Sequence, residues 1–152
     1  MELRVLQYFL AVAREENISA AAQSLHLTQP TLSRQLKELE EELGKQLMIR
    51  GSRKITLTEE GILLRKRAEE ILDLVGRTEK EVMQSSDTIG GDIYIGTGET
   101  DGVRHIARTA TRLQKNYPNI HFHVFSGDGM DVCERLDKGL LDFGILLGDI
   151  EK

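Results

Sequence analysis

The amino-acid sequence predicts a protein of the α + α/β class, in which a small helical domain and a long helix precede a parallel α/β unit. Apart from a predicted hairpin at 46–57, apolar residues recur at helical spacing from the N-terminus through Val82. A short stretch at 85–91, rich in Ser and Gly, then interrupts that pattern. Beyond it, short apolar strands alternate with helical segments, as in βαβ units. The predicted domain limits are therefore 1–58, 59–89 and 90–152.

Three helices are predicted at the start of the chain. Apolar spacing predicts the first two at about 2–15 and 20–25, with Ser19 as the N-cap of the second. A tight turn then leads to Thr28, whose hydroxyl can cap a third helix that ends at Gly44. The second and third helices, joined by this turn, form a helix-turn-helix.

The third helix has two opposed faces. One is apolar, and its spacing predicts burial of Leu32, Leu36, Leu39 and Leu43. The other is polar and contains no carboxylate from residue 28 to 37, and a helix N-terminus of this kind suits phosphates and base edges. A solvated face on an ordinary core helix is the alternative. The predicted DNA contacts on this helix are Thr28, Gln29, Pro30, Thr31, Ser33, Arg34 and Lys37.

A basic hairpin follows the third helix. Strands are predicted at 46–50 and 54–57, joined by a turn at Gly51 and Ser52. Residues 43–58 include no acid, so this wing-like loop can reach phosphates or a minor groove, whereas a solvated charged hairpin is the alternative. We expect Arg34 to read a base edge. The residues predicted to contact phosphates are Arg50, Arg53 and Lys54.

A long helix begins after Thr58, its predicted N-cap. Apolar residues alternate along it by four and three, and charged residues such as Arg65 and Arg77 are expected to keep its other faces in water. A narrow apolar seam predicts pairing with a second copy, and packing back onto the chain's own domain is the alternative. The predicted dimerisation residues are Leu64, Ala68, Ile71, Val75, Thr78 and Val82.

The last third of the chain predicts a βαβαβ unit. Its strands are expected at 93–96, 120–125 and 141–147, and its helices at 103–113 and 132–138. Such a unit forms a right-handed parallel sheet, and ligands bind at the carboxyl ends of its strands. The residues predicted there as contacts for a small-molecule effector are Thr97, Gly98, Thr100, Ser126, Gly127 and Asp128.

Composition restricts the function classes. The net charge of −5 gives no global argument for nucleic acid, so any DNA surface should lie in the first half of the chain. A lone Cys133 excludes an internal disulfide, and no leader or long apolar run is present, which predicts a cytoplasmic protein without a membrane partner. His121 and His123 share a strand face, but no further ligand is placed by the sequence to complete a metal site. No cofactor and no catalytic group are predicted either.

With these features in place, the chain resembles the LysR-type transcriptional regulators. The segments that resemble the family's DNA-binding and linker region are 3–9, 19–22, 28–36, 39–44 and 53–61. Those similar to the opening of its effector-binding domain are 91–96, 117–118, 127 and 139–145. Met48 and Ile49 depart from the family pattern, which we interpret as repacking of the wing.

The resemblance implies a winged helix-turn-helix, a dimerising linker helix and a two-lobed, periplasmic-binding-protein-like domain that senses a small molecule. It places Thr28, Gln29, Pro30, Ser33 and Arg34 at the DNA groove and Arg53 in the wing. The implied partners are double-stranded DNA and a second copy, as a homodimer or homotetramer, with RNA polymerase as a further candidate.

The family's effector domain runs on through a second lobe, whereas residue 152 follows the third predicted strand. We therefore expect this chain to hold one partial wall of a sensing cleft and to bind DNA without responding to a small molecule. Two other hypotheses remain. One is a dimerisation fragment that interferes with full-length partners without operator preference, and the other is an α/β enzyme with an appended helical domain, for which no catalytic constellation is found.

Overall fold

The computed structural model describes residues 1–51, 54–83, 89–98 and 102–146. It divides into two compact units, Met1–Asp73 and Leu74–Lys152, so the boundary between them falls inside α4. None of the described helices combines the length and the apolarity that crossing a membrane requires. The elements in chain order are α1 Leu3–Glu15, α2 Ile18–Ser24, α3 Gln29–Leu43, β1 Met48–Arg50, β2 Ile55–Leu57, α4 Glu59–Met83, β3 Gly91–Thr97, α5 Gly102–Asn116, β4 Ile120–Ser126, α6 Gly129–Asp137 and β5 Phe143–Ile145.

The first unit packs α1, α2 and α3 around one apolar core, as the helical spacing predicted. Phe9, Leu32 and Leu36 are fully buried at its centre. The antiparallel pair β1 and β2 follows as the predicted wing, in a register that joins Met48 to Leu57. Leu43 was expected in the core but is 41% exposed, because it lies in the last turn of α3, beyond the contacts that bury Leu39.

Side-chain caps fix where the short helices begin. Thr28 caps α3 as predicted, since its Oγ1 accepts a hydrogen bond from the Thr31 N–H at 3.4 Å. The expectation that Ser19 caps α2 is wrong. Helix α2 begins earlier, and the Asn17 side chain accepts from the Ala20 N–H at 3.0 Å. Gly44 ends α3 in the left-handed conformation, with φ of 63°.

The second unit is a parallel three-stranded sheet, as predicted, with strand order β4-β3-β5. The chain moves from β3 to β4 on one side and then crosses to β5 on the other, so β3 marks the point where the strand order reverses. Helix α6 begins at Gly129, earlier than predicted, because Asp128 caps it through the Asp131 N–H at 2.8 Å. Strand β5 is shorter than predicted, and Leu147 lies outside the described residues.

Candidate nucleic-acid interface

The N-terminal part of α3 presents a polar surface to solvent. Thr28, Gln29 and Pro30 are exposed, and Ser33 is half-buried. The Gln29 Nε2 donates to Ser33 Oγ at 3.1 Å, a contact at the surface that an external partner can replace. The opposite side of the helix is fixed in the core by its leucines. A rigid helix therefore holds exposed amide and hydroxyl groups at its N-terminus, where unpaired N–H groups attract anions.

The charged residues of α3 are arranged from cations to acids along the helix. The first turn contains no acid. Arg34 Nε lies 3.7 Å from Glu38 Oε1, and Lys37 Nζ lies 3.4 Å from Glu41 Oε1, both pairs being exposed to water. Exposed i,i+4 pairs of this kind contribute little and exchange readily. Both cations can therefore turn toward an anionic partner with little loss.

The hairpin beside α3 is less positive than its sequence suggested, because acids from other elements reach its lysines. Lys54 Nζ lies 2.6 Å from Glu16 Oε2, at the end of α1. Lys45 Nζ lies 3.4 Å from Glu60 Oε1 at the start of α4. The Glu60 carboxylate accepts its own backbone N–H and lies beside Lys45, and both contacts lower its pKa. The folded hairpin therefore has acidic neighbours that the acid-free sequence of residues 43–58 does not reveal, and the phosphate contact of Lys54 stays a prediction.

Arg50 remains an exposed cation, as the acid-free sequence around it suggested. Its side chain is exposed, and it forms no ion pair with any acid in the part of the chain that the structure describes. Arg53, the other arginine expected at the phosphates, lies outside the described residues. Arg50 is thus the described wing residue best placed by charge to meet a phosphate.

Two contacts that the sequence did not predict hold the hairpin in place. Glu40 Oε1 accepts hydrogen bonds from the backbone N–H groups of Leu47 at 2.7 Å and Met48 at 3.2 Å. The Ile55 N–H donates to the Glu16 carbonyl at 2.8 Å, which ties β2 to the end of α1. These partners lie far apart in sequence and fit no local motif. They orient the wing relative to α3, so they position the interface without facing it.

The predicted dimerisation seam divides between two environments. Leu64 packs against the core of the first unit, and Ala68 is fully buried, so these two side chains are covered within the chain. Ile71 is half-buried. Later turns of α4 carry an exposed apolar groove of about 410 Å³, to which Leu74, missed by the sequence pattern, also contributes. The groove is lined by Leu74, Val75, Thr78, Glu79, Val82 and Met83.

Arg77 was expected to face water but is only 6% exposed. Its guanidinium donates to the Gly139 carbonyl at 2.8 Å and to Asp142 Oδ1 at 2.9 Å, and lies 3.9 Å from the centre of the Tyr94 ring. Asp142 Oδ2 in turn accepts from the Tyr94 N–H at 2.7 Å. Arg77 therefore connects the end of α4 to β3 and to the segment before β5. Helical spacing alone cannot indicate such a partner.

A second polar contact lies at the start of the same sheet. Asp92 accepts from Lys80 Nζ at 2.8 Å and lies 2.7 Å from His123 Nε2, and these two partners lower its pKa. The His123 ring stacks on Tyr94, with centroids 4.5 Å apart. Among the described residues no group of three metal-binding side chains occurs. His123 therefore contacts Asp92 and Tyr94 within the second unit.

The predicted effector residues gather at the carboxyl ends of the strands. Thr97 and Ser126 are paired in register, and the Gly127 N–H donates to the Thr97 carbonyl at 3.1 Å. Thr97 is buried, and its hydroxyl donates to the Gly98 carbonyl. Asp128 is engaged in capping α6, as described above. Thr100 lies outside the described residues.

The end of β5 reaches this edge as well. The Gly98 N–H donates to the Ile145 carbonyl at 3.4 Å, so β5 adjoins β3 at the point where the strand order reverses. The sequence pattern did not include β5 among the candidate contacts, because its pairing with β3 depends on a crossover that local spacing does not reveal.

Comparison with known proteins adds an independent observation. A sequence model described as "Bacterial regulatory helix-turn-helix protein, lysR family" matches residues 3–62. The chain is 34% identical to the HTH-type transcriptional regulator BsdA of Bacillus subtilis, over 95% of this chain and 50% of that protein. It is also 34% identical to the DNA-binding transcriptional dual regulator OxyR of Escherichia coli, over 96% of this chain and 48% of that protein.

Solved structures of regulators show a similarity to this chain as well. The chain resembles full-length CbnR in complex with its target DNA, with a TM-score of 0.81 and 30% identity, over 95% of this chain and 49% of that one. It also resembles the CbnR DNA-binding domain in complex with DNA, with 44% identity and a TM-score of 0.53, over 54% of this chain and 94% of that one. The chain spans about half the length of the curated relatives that it matches.

Proposed function

The chain belongs to the lysR family of bacterial regulatory helix-turn-helix proteins, and we propose that it is a sequence-specific DNA-binding transcriptional regulator. The observation that carries this proposal is the N-terminal surface of α3. That surface is exposed, free of acids in its first turn and fixed by a buried leucine face. The relatives are named as regulators, and two of the similar structures contain DNA, which supports a regulator over an enzyme.

We assign different roles to the basic residues of this surface. Arg34 is proposed to read a base edge in the major groove, since it lies on the exposed face of α3 with only a weak pairing to Glu38. Arg50 is proposed to hold a phosphate from the wing, because its charge is uncompensated among the described residues. Thr28, Gln29 and Ser33 supply hydroxyl and amide groups at the helix N-terminus.

We propose that two copies pair through the later turns of α4. The apolar groove that contains Val75, Thr78 and Val82 supports this, because an exposed apolar stripe on a helix is stabilised by a partner. Pairing would present two α3 helices to a two-fold related operator. Val82→Asp, at a side chain that is 80% exposed, should give monomers in sedimentation. Ile62→Asp, exposed on another face of α4, should leave the dimer intact.

For the α/β unit we propose one wall of an effector site at the carboxyl ends of β3, β4 and β5, which the convergence of Thr97, Ser126 and Ile145 supports. Asp128 and Asp131 at the start of α6 place negative charge beside this edge, which favours a neutral or cationic ligand. We propose a cytoplasmic location, in which a reduced Cys133 is the normal state.

The experiment that tests the regulator proposal starts with selection of binding sites from random duplexes by the full chain. Fluorescence anisotropy then compares the selected duplex with a scrambled duplex of equal composition. We expect the selected duplex to bind tighter by about a thousandfold or more at physiological salt. Equal affinity for both duplexes, together with dimer formation, would contradict the proposal and favour the interfering dimerisation fragment.

A further inference from the structure

The outer face of α5 carries a row of basic side chains. Its members follow one another at spacings of four, four and three residues, so they lie along one side of the helix. Together with Ala107 and Thr111 they line a shallow groove of about 360 Å³. We call this feature the α5 basic row, and it consists of Arg104, Arg108, Arg112 and Lys115.

No acid lies near Arg108, Arg112 and Lys115 in the sequence. Residues 102–127 contain no Asp or Glu, in a chain whose net charge is −5. Arg108, Arg112 and Lys115 are exposed, and none of them forms an ion pair with an acid in the described ranges. In α3, by contrast, each cation has an acid four residues later. Like charges at i,i+4 repel each other, so a bound polyanion would stabilise this helix.

We propose that the α5 basic row binds the phosphate backbone of duplex DNA outside the sequence read by α3. This inference rests on the proposed function, because DNA is the ligand assigned to the same chain. The row extends over about 16 Å of helix, and duplex DNA presents about one phosphate charge for every 1.7 Å of its axis. The contact would add affinity and salt dependence without reading sequence.

The residues between the cations favour DNA over an acidic protein surface. Ala107 and Thr111 are small, so a phosphate backbone can approach the row closely. The row offers no aromatic or large aliphatic side chain. Protein interfaces depend on such side chains as buried anchors, whereas backbone contacts to DNA need charge and access.

The first test measures how the row responds to DNA length. Two duplexes carry the selected operator, a short one that ends with it and a long one extended by arbitrary sequence on both sides. The double variant Arg108→Ala and Arg112→Ala should lose about tenfold in affinity for the long duplex, and its salt slope should fall by about two units. Binding to the short duplex should not change. Lys138→Ala, at the C-cap of α6 and paired with Glu134, removes a cation outside the row and is the control.

The second test looks for DNA at the row directly. Because Cys133 is the sole cysteine, a Cys133→Ser background allows one photo-crosslinker to be attached at Thr111→Cys. We expect adducts with the long duplex from this position and none from Asp137→Cys on α6. Circular dichroism checks that each variant is folded.

The outcomes separate this inference from the proposed function. If the wild type prefers the operator but binds the long and short duplexes equally, or if Thr111→Cys gives no adduct, the α5 basic row does not bind DNA. If the wild type shows no operator preference, the proposed function fails instead. The row is then tested on a long duplex of mixed sequence, where equal binding by the wild type and the double variant would overturn it.

Discussion

The two compact units of this chain are stabilised in different ways. In Met1–Asp73, large apolar side chains such as Phe9 and Leu36 are fully buried in one cluster. In Leu74–Lys152, the described core is smaller, Phe143 stays 60% exposed, and the buried Arg77 makes polar contacts between α4 and the sheet. The difference indicates that the first unit depends on apolar packing, whereas the second also depends on the hydrogen bonds of a buried cation. The two units should therefore respond differently to volume changes and to pH.

The largest effect is expected at Gly61, where the first unit has no space for an added side chain. A Cβ added at Gly61 would lie 2.0 Å from the Leu47 carbonyl oxygen, so α4 and β1 would have to separate. We expect Gly61→Ala to destabilise the first unit by about 3 kcal/mol, as overpacking does. Gly76→Ala is the matched control on the same helix, because nothing lies within 4 Å of its added Cβ. It should stabilise the protein by about 0.5 to 1 kcal/mol.

Hydrogen exchange of the backbone amides, measured separately for each unit, shows which unit each of the two glycine substitutions affects. The expected pattern is faster exchange in α1 to α3 for Gly61→Ala, with the α/β unit nearly unchanged. If Gly61→Ala and Gly76→Ala had the same effect, close packing at the base of the wing would not be what holds the first unit together.

The next effect belongs to the second unit. Arg77→Ala removes hydrogen bonds to Gly139 and Asp142, and it leaves the Asp142 carboxylate without its cation but still bonded to the Tyr94 N–H. We expect a loss of about 2 kcal/mol, less than for a fully buried pair because Asp142 is partly exposed. Lys80→Ala removes an exposed cation from the same helix and should cost less than about 1 kcal/mol. Urea unfolding of the two variants measures the difference, and equal midpoints would argue against a central role for Arg77.

The smallest effect is a pH dependence confined to the second unit. Lys80 and His123 lower the pKa of Asp92 in the folded state, so the unfolded chain binds its proton more readily. The stabilisation is therefore fully present above the usual Asp value of 3.8 and is lost as the pH falls through the lowered pKa. Asp92→Asn should lose less stability than the wild type between about pH 5 and pH 3 in urea titrations. Parallel curves for the two proteins would mean that Asp92 is not the responsible group.

The features that the sequence predicted correctly depend on neighbours in the chain. Helical spacing and a local cap located α3, and alternating strands and helices located the parallel sheet. The cap of α2 was assigned to Ser19 instead of Asn17 because both residue types suit that position, and the choice depends on the residue at which the helix begins.

The features that the sequence missed depend on residues brought together by folding. Glu16 reaches Lys54, Glu40 holds the start of β1, and Arg77 reaches Gly139. Each of these charges looked like an exposed group when considered with its sequence neighbours. Charge counts along a segment therefore overestimate how positive a folded surface is, as the wing illustrates.

We propose that the N-terminal surface of α3 reads DNA sequence while the wing holds its backbone. The measurement that tests it most directly compares Arg34→Ala and Arg50→Ala, each titrated with the selected and the scrambled duplex at several salt concentrations. Arg34→Ala should cost about 1 to 3 kcal/mol on the selected duplex and little on the scrambled one. Arg50→Ala should weaken both duplexes alike and lower the salt slope by about one unit. Equal losses on both duplexes for Arg34→Ala would contradict the claim.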